Sequence, residues 1–133
     1  MTKLEQAKDP NTSPEILSVL ATDEDKYVRY FVTRNPNTSP ETLSVLATDK
    51  NEGVLRWVAE NPNTSSETLL VLATDENEDV RCGVAYNPNT SPEILSVLAT
   101  DKDWVIRYQV ARHPNSTELI RRLVLMTNAQ AND

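Results

Sequence analysis

Glycine, cysteine, histidine and aromatic residues are all scarce in this chain of 133 residues, and each scarcity removes a class of function. Two glycines, Gly53 and Gly83, cannot build a glycine-rich phosphate loop. A single cysteine, Cys82, has no partner for an internal disulfide, and with one histidine, His113, it cannot complete a four-ligand zinc site. No nucleophile–base pair can be assembled from them, so no catalytic residue, metal or cofactor is expected. The amino terminus lacks the apolar run of a signal peptide, and no stretch of about eighteen apolar residues could span a bilayer, so no membrane partner is expected and the chain is placed in the cytoplasm. One charged residue in four, a formal charge of −7 and so few large side chains leave little material for one central core. A stack of thin cores is the better expectation.

What the sequence has in quantity is repetition. Pro10, Pro36, Pro62, Pro88 and Pro114 recur every 26 residues without drift. NTSPEILSVLATD begins at Asn11 and again at Asn89, with close copies at Asn37 and Asn63. The chain therefore reads as one helical-repeat domain over 1–133: an end cap at 1–9, units at 10–35, 36–61, 62–87 and 88–113, and a half-unit with cap at 114–133.

Each unit carries two helical signals. For the first, Thr38 with Glu41 has the spacing of a capping box, repeated at Thr12/Glu15, Thr64/Glu67 and Thr90/Glu93. Pro40 suits the first turn, and the run Ile16, Leu17, Val19, Leu20, Ala21 predicts a helix sandwiched between neighbours. The second helix follows an acidic linker and buries Val28/Val32, Val54/Val58, Val80/Val84 and Ile106/Val110. It stops at Asn35-Pro36, where asparagine predicts a left-handed carboxyl cap. Residues 2–9 read as a degenerate second helix, and 117–127 as a polar terminal one. Helices this short depend on packing between repeats.

The run Asn-Pro-Asn-Thr-Ser-Pro-Glu-x-Leu-x-x-Leu-Ala, followed by Asp and Val-Arg-x-x-Val-Ala, resembles the bacterial leucine-rich repeat variant over roughly residues 9–126. The resemblance implies an all-α, right-handed superhelical solenoid of about 4.5 units in which one helix per unit is 3₁₀ or α. The repeat is also similar to HEAT repeats, in which both are α. The cysteine cluster that holds an iron–sulfur centre in one form of the family is absent here, so the resemblance carries over a fold and no cofactor.

Several columns could bear chemistry. Asn11, Asn37, Asn63, Asn89 and Asn115 are expected to bond the local backbone, or one another across repeats, rather than a ligand. Arg29, Arg81 and Arg107 each follow an aspartate by six residues, which predicts an Asp–Arg ladder between repeats, interrupted by Leu55. Asp75, Asn77 and Asp79 alternate as in a calcium loop but lack its glycine and distal glutamate. His113 stands where the other units have asparagine and reads as a substituted helix stop.

Differences between units collect on the second helix, opposite its buried valines. Tyr27, Tyr30, Phe31, Arg34, Arg56, Trp57, Tyr86, Tyr108 and Arg112 fall in that sector, with Trp104 just outside it. Aromatics interleaved with arginines have the composition of a partner-binding patch, or else fill the seams between helices. The reading that follows is a non-enzymatic scaffold for a protein or peptide. The alternatives are nucleic-acid binding, which the acidic balance opposes, and a purely structural or self-assembling module.

Overall fold

The computed structural model describes residues 1–131. It contains ten α-helices and, among the described residues, no strand: α1 Lys3–Lys8, α2 Pro14–Leu20, α3 Lys26–Arg34, α4 Pro40–Leu46, α5 Glu52–Glu60, α6 Ser66–Leu72, α7 Glu78–Tyr86, α8 Pro92–Leu98, α9 Trp104–Arg112 and α10 Glu118–Ala131. The chain is an all-α solenoid in which a short and a longer helix alternate, and both are α. Amides at the ends of the short helices reach back four residues, as Ala21 N–H does to the Leu17 carbonyl at 2.9 Å; three-residue closures occur only just beyond, at Thr22 and Asp23. The last two positions of the expected cap, 132 and 133, lie outside the described residues.

The capping residue of the short helix is one position later than the capping-box spacing implied. Ser13, Ser39, Ser65 and Ser91 are the caps; the Ser39 hydroxyl accepts from Thr42 N–H at 3.2 Å, and Pro14, Pro40 and Pro92 occupy the first turn. The threonines serve the preceding helix instead. Thr12, Thr38, Thr64 and Thr90 are buried, and their hydroxyls donate to the carbonyls of Gln6, Val32, Val58 and Val84 at 2.5–2.6 Å. A helix end has carbonyls with no partner in the helix, and a hydroxyl six residues on satisfies one of them.

The stop at Asn35 is also not the left-handed cap expected. Asn35, Asn61, Asn87 and His113 are extended, and no residue, glycine included, has a positive φ among the described residues. Each precedes a proline, which disfavours the helical region for the residue before it.

The longer helices form the spine: α1 packs on α3, α3 on α5, α5 on α7, α7 on α9, and α9 on α10. Their paired β-branched residues, from Val28/Val32 to Ile106/Val110, are at most 3% exposed. Each short helix lies across the junction of the longer helices before and after it and inserts two leucines: Leu17/Leu20, Leu43/Leu46, Leu69/Leu72 and Leu95/Leu98. The short helices are not sandwiched: their leucines face the two flanking longer helices, and other apolar side chains are left in solvent. Val19 is accordingly 70% exposed and Val71 67%, with Ile16, Val45, Leu70 and Val97 also on the surface.

The terminal helix α10 begins as a fifth short helix, with Thr117 capping Ile120 N–H at 3.2 Å, and continues across the place where a linker would stand.

Candidate functional site

Two asparagine columns run along the edge formed by the Asn-Pro turns, and both are spent on backbone. Asn87 is fully buried; its Nδ2 donates to the Ala59 and Asn61 carbonyls, each at 2.8 Å, while its Oδ1 accepts from Asn89 N–H at 2.9 Å. Asn35 makes the same contacts to Ala7, Asp9 and Asn37, and Asn61 keeps the Thr33 carbonyl at 2.7 Å and the Asn63 amide. His113 reproduces both functions: Nδ1 accepts from Asn115 N–H and Nε2 reaches the Asn87 carbonyl at 2.7 Å, which places the ring proton on Nε2. The second column, Asn37, Asn63, Asn89 and Asn115, donates to the carbonyls of Pro10, Pro36, Pro62 and Pro88 one unit back. Neither column is a row of free amides.

The arginine column likewise joins repeats, but each arginine's carboxylate partner belongs to the next unit. Arg29 forks onto Asp49 at 2.7 and 3.4 Å and Arg81 onto Asp101 at 2.8 and 3.2 Å, while Nη1 donates to the carbonyl of the aspartate six residues earlier. These carboxylate bonds hold both guanidiniums above the ordinary arginine range. Lys3 supplies the first rung to Asp23 at 3.0 Å, and Arg107 meets Asn128 instead of a carboxylate at 2.7 Å. The Asp25 amide first, then Lys3, hold the Asp23 carboxyl below its usual range. Buried Leu55 breaks the ladder. The acidic linkers cap helices: Asp25, Asn51, Asn77 and Asp103 accept first-turn amides. Among the described residues no acidic, histidine or cysteine cluster could hold a metal ion. Burial pushes the Cys82 thiol up, away from nucleophilic character.

What remains without an architectural task is the outer face of the longer helices. Tyr27 is 59% exposed, Tyr86 48%, Trp104 67% and Tyr108 52%, with Arg34 and Arg112 also exposed. Tyr30, Phe31, Arg56 and Trp57 are half-buried, so this group is both seam and surface. Phe31 meets Tyr30 edge-on at 5.1 Å, and Tyr30 meets Trp57 at 6.2 Å across the α3–α5 seam. Lys8 lies 4.5 Å over Phe31, and Arg34 caps the group, 4.5 Å over Trp57 and 5.7 Å over Tyr30. The α5–α7 seam is built differently. Gly83, at the position of Phe31, Trp57 and Gln109, is buried where a Cβ would stand 2.9 Å from Ala59 Cβ and 3.0 Å from the Arg56 carbonyl. The range of sizes at this position goes with what faces it: α5 backbone and Ala59 at Gly83, and the Tyr30 ring and Arg34 guanidinium at Trp57.

The ten candidate residues thus form two groups rather than one stripe. Tyr27, Tyr30, Phe31, Arg34 and Trp57 lie on α3 and α5; Trp104, Tyr108 and Arg112 lie on α9, with Tyr86 at its border on α7. Between them Arg56 is neutralised by Glu60 at 3.4 Å and Asp79 at 3.8 Å. An open groove of about 440 Å³ lies between α9 and α10, lined by Trp104, Tyr108, Arg121 and Leu125. Arg121 and Leu125 were not among the residues anticipated; the terminal helix breaks the repeat, so no positional comparison could reach them. None of the described helices is long and apolar enough to cross a membrane.

Residues 52–77 and 78–103 each match the model of the leucine rich repeat variant family, the family whose resemblance the repeated text carries. No curated protein and no solved structure gives a significant match.

Proposed function

We propose that this chain, whose residues 52–103 are two adjacent leucine rich repeat variant units, is a non-enzymatic scaffold that binds a protein or peptide on the outer face of its longer helices. One observation carries the reading. The repeated polar columns are consumed by contacts within and between units, whereas the aromatic and cationic side chains of α3, α5 and α9 differ from unit to unit and stand partly or wholly in solvent. Exposed tyrosine, tryptophan and arginine are the residues that dominate interface energetics, and solenoids expose extended faces of this kind. Nucleic acid is the poorer fit: Glu60 and Asp79 stand between the two groups, and the chain carries a net charge of −7.

The test is to pan a random peptide library on the immobilised chain and measure the enriched peptides against Tyr27→Ser/Tyr108→Ser. Both side chains are more than half exposed, so the variant keeps its melting temperature. Binding weaker by about tenfold or more supports the reading. Undiminished binding, or no enrichment, rejects it.

A further inference from the structure

The two groups on the outer face are copies of one device. The first unit has Tyr30 and Arg34 on α3, and the fourth has Tyr108 and Arg112 on α9, at the same two positions three units apart. In both the guanidinium lies over the tyrosine ring, at 5.7 and 5.3 Å, with Nη1 at the phenol oxygen, 3.5 and 3.4 Å away. The two intervening units break the pairing, with Arg56/Glu60 and Cys82/Tyr86. Beside each arginine lies an equivalent hollow. One, of about 250 Å³, is lined by Lys8, Phe31 and Arg34; the other, of about 400 Å³, by Tyr86, Gln109 and Arg112, the same three positions.

The two posts differ from the other arginines in what holds them. Arg29, Arg56, Arg81 and Arg122 each engage a carboxylate, and Arg107 and Arg121 bond Asn128 and the Ser116 carbonyl, whereas Arg34 and Arg112 meet only a tyrosine hydroxyl among the described residues, although acidic side chains outnumber basic ones by seven. A guanidinium stacked on a ring is already ordered and weakly hydrated, and its free fork suits a carboxylate. Glu60 and Asp79, between the posts, would repel a continuous anion but not one whose charges are concentrated at two places.

We infer that the outer face binds an acidic peptide at two points, a carboxylate on Arg34 and another on Arg112, each with a neighbouring side chain in the adjacent hollow. The inference rests on the scaffold reading and names its partner. Three helix-to-helix steps of about 8–10 Å put the posts roughly 25–30 Å apart. An extended peptide rising about 3.3 Å per residue covers that distance in about eight or nine residues.

The probe is a synthetic peptide with a Glu-Glu-Leu cluster near each end and a Gly/Ser spacer of about eight residues. It is compared by calorimetry with a one-cluster peptide, a Lys-Lys-Leu version and oligo-dT, using the wild-type chain, Arg34→Gln, Arg112→Gln and the double variant. The two-cluster peptide is expected to bind at least about tenfold more tightly than the one-cluster peptide. Either single substitution should abolish that advantage, and the lysine peptide should not bind. Four results overturn the inference: no measurable binding of the two-cluster peptide, equal affinity for one and two clusters, a double variant that binds undiminished, or tighter binding of oligo-dT. Library peptides that depend on Tyr27 and Tyr108 but bind Arg34→Gln/Arg112→Gln normally would leave the scaffold reading standing and remove the acidic partner alone.

Discussion

Replacing Gly83 by alanine sets two well-characterised effects against each other, and the structure decides the sign. The residue lies in the middle of α7 with ordinary helical backbone, so propensity alone favours alanine by about 1 kcal/mol. The added methyl, however, would stand 2.9 Å from Ala59 Cβ and 3.0 Å from the Arg56 carbonyl oxygen. Both belong to or adjoin the backbone of α5, so no flexible side chain can swing aside. Carbon atoms in contact prefer about 3.5–4.0 Å, so α5 and α7 must separate by roughly 0.5–1 Å. Overpacking of this kind costs about 1–3 kcal/mol, and the separation also loosens Val58, Val80 and Val84 along the same seam. Set against the propensity gain, the expected net loss is up to about 2 kcal/mol in urea unfolding. Gly53→Ala is the control. Gly53 is exposed, a Cβ there would meet only the capping oxygen of Asn51, at 3.1 Å, and Tyr27, Asp79 and Val105 hold the same position behind equivalent caps, so the mutation should stabilise by up to about 1 kcal/mol. Equal stabilisation at both positions would show slack between α5 and α7 and refute the account of this seam.

Asn87→Ala strands two buried carbonyls and the Asn89 amide and should cost about 2–4 kcal/mol, whereas Asn89→Ala, at an exposed position, should cost about 1 kcal/mol or less; paired urea melts compare them. Arg81→Met leaves the Asp101 carboxylate without its cation in a site where both side chains are 8% exposed, for an expected loss of about 3–5 kcal/mol, and adding Asp101→Asn should recover part of it in the same melts. Trp57→Ala removes a half-buried ring from between Tyr30 and Arg34; calorimetry should show about 2–3 kcal/mol, less than a core tryptophan and more than a surface one. Because partial burial raises the Cys82 thiol, alkylation by iodoacetamide at pH 7.5 should be slower in the folded chain than in urea, and equal rates would contradict that burial.

Periodicity made the architecture legible: the valine pairs, the proline register, the Asp–Arg ladder with its break at Leu55, and the degenerate helix at the amino end follow from residue spacing. The two cap expectations fail for one reason. A threonine before Ser-Pro-Glu has the capping-box spacing, and a local motif cannot show that the unmet carbonyls of the previous helix lie within its reach. Likewise an Asn-Pro pair signals a stop and not its reach, because Nδ2 finds partners 26 and 28 residues away. The exposure of Val19 and its equivalents was hidden for another reason: a seven-residue helix of mostly apolar residues looks buried until its neighbours are placed. The same ambiguity applied to Trp57, whose half-burial depends on the separation of α3 and α5.

These contacts also divide the chain's capacity for change. Thr, Asn, Asp and Leu positions each satisfy a backbone group or fill a junction shared with a neighbouring unit, so a substitution there disturbs two units at once, as expected for a stack whose stability is a sum of nearest-neighbour terms. The outer positions of the longer helices carry no such obligation, except where a seam closes, at Gly83 and at Trp57 between Tyr30 and Arg34. Tyr, Arg, Cys and Tyr succeed one another at positions 30, 56, 82 and 108 while the buried valines beneath them scarcely change. A ladder that fixes the turns on one edge leaves the opposite sector free to differ unit by unit. That freedom is what lets units one and four carry a Tyr/Arg post while the units between them do not.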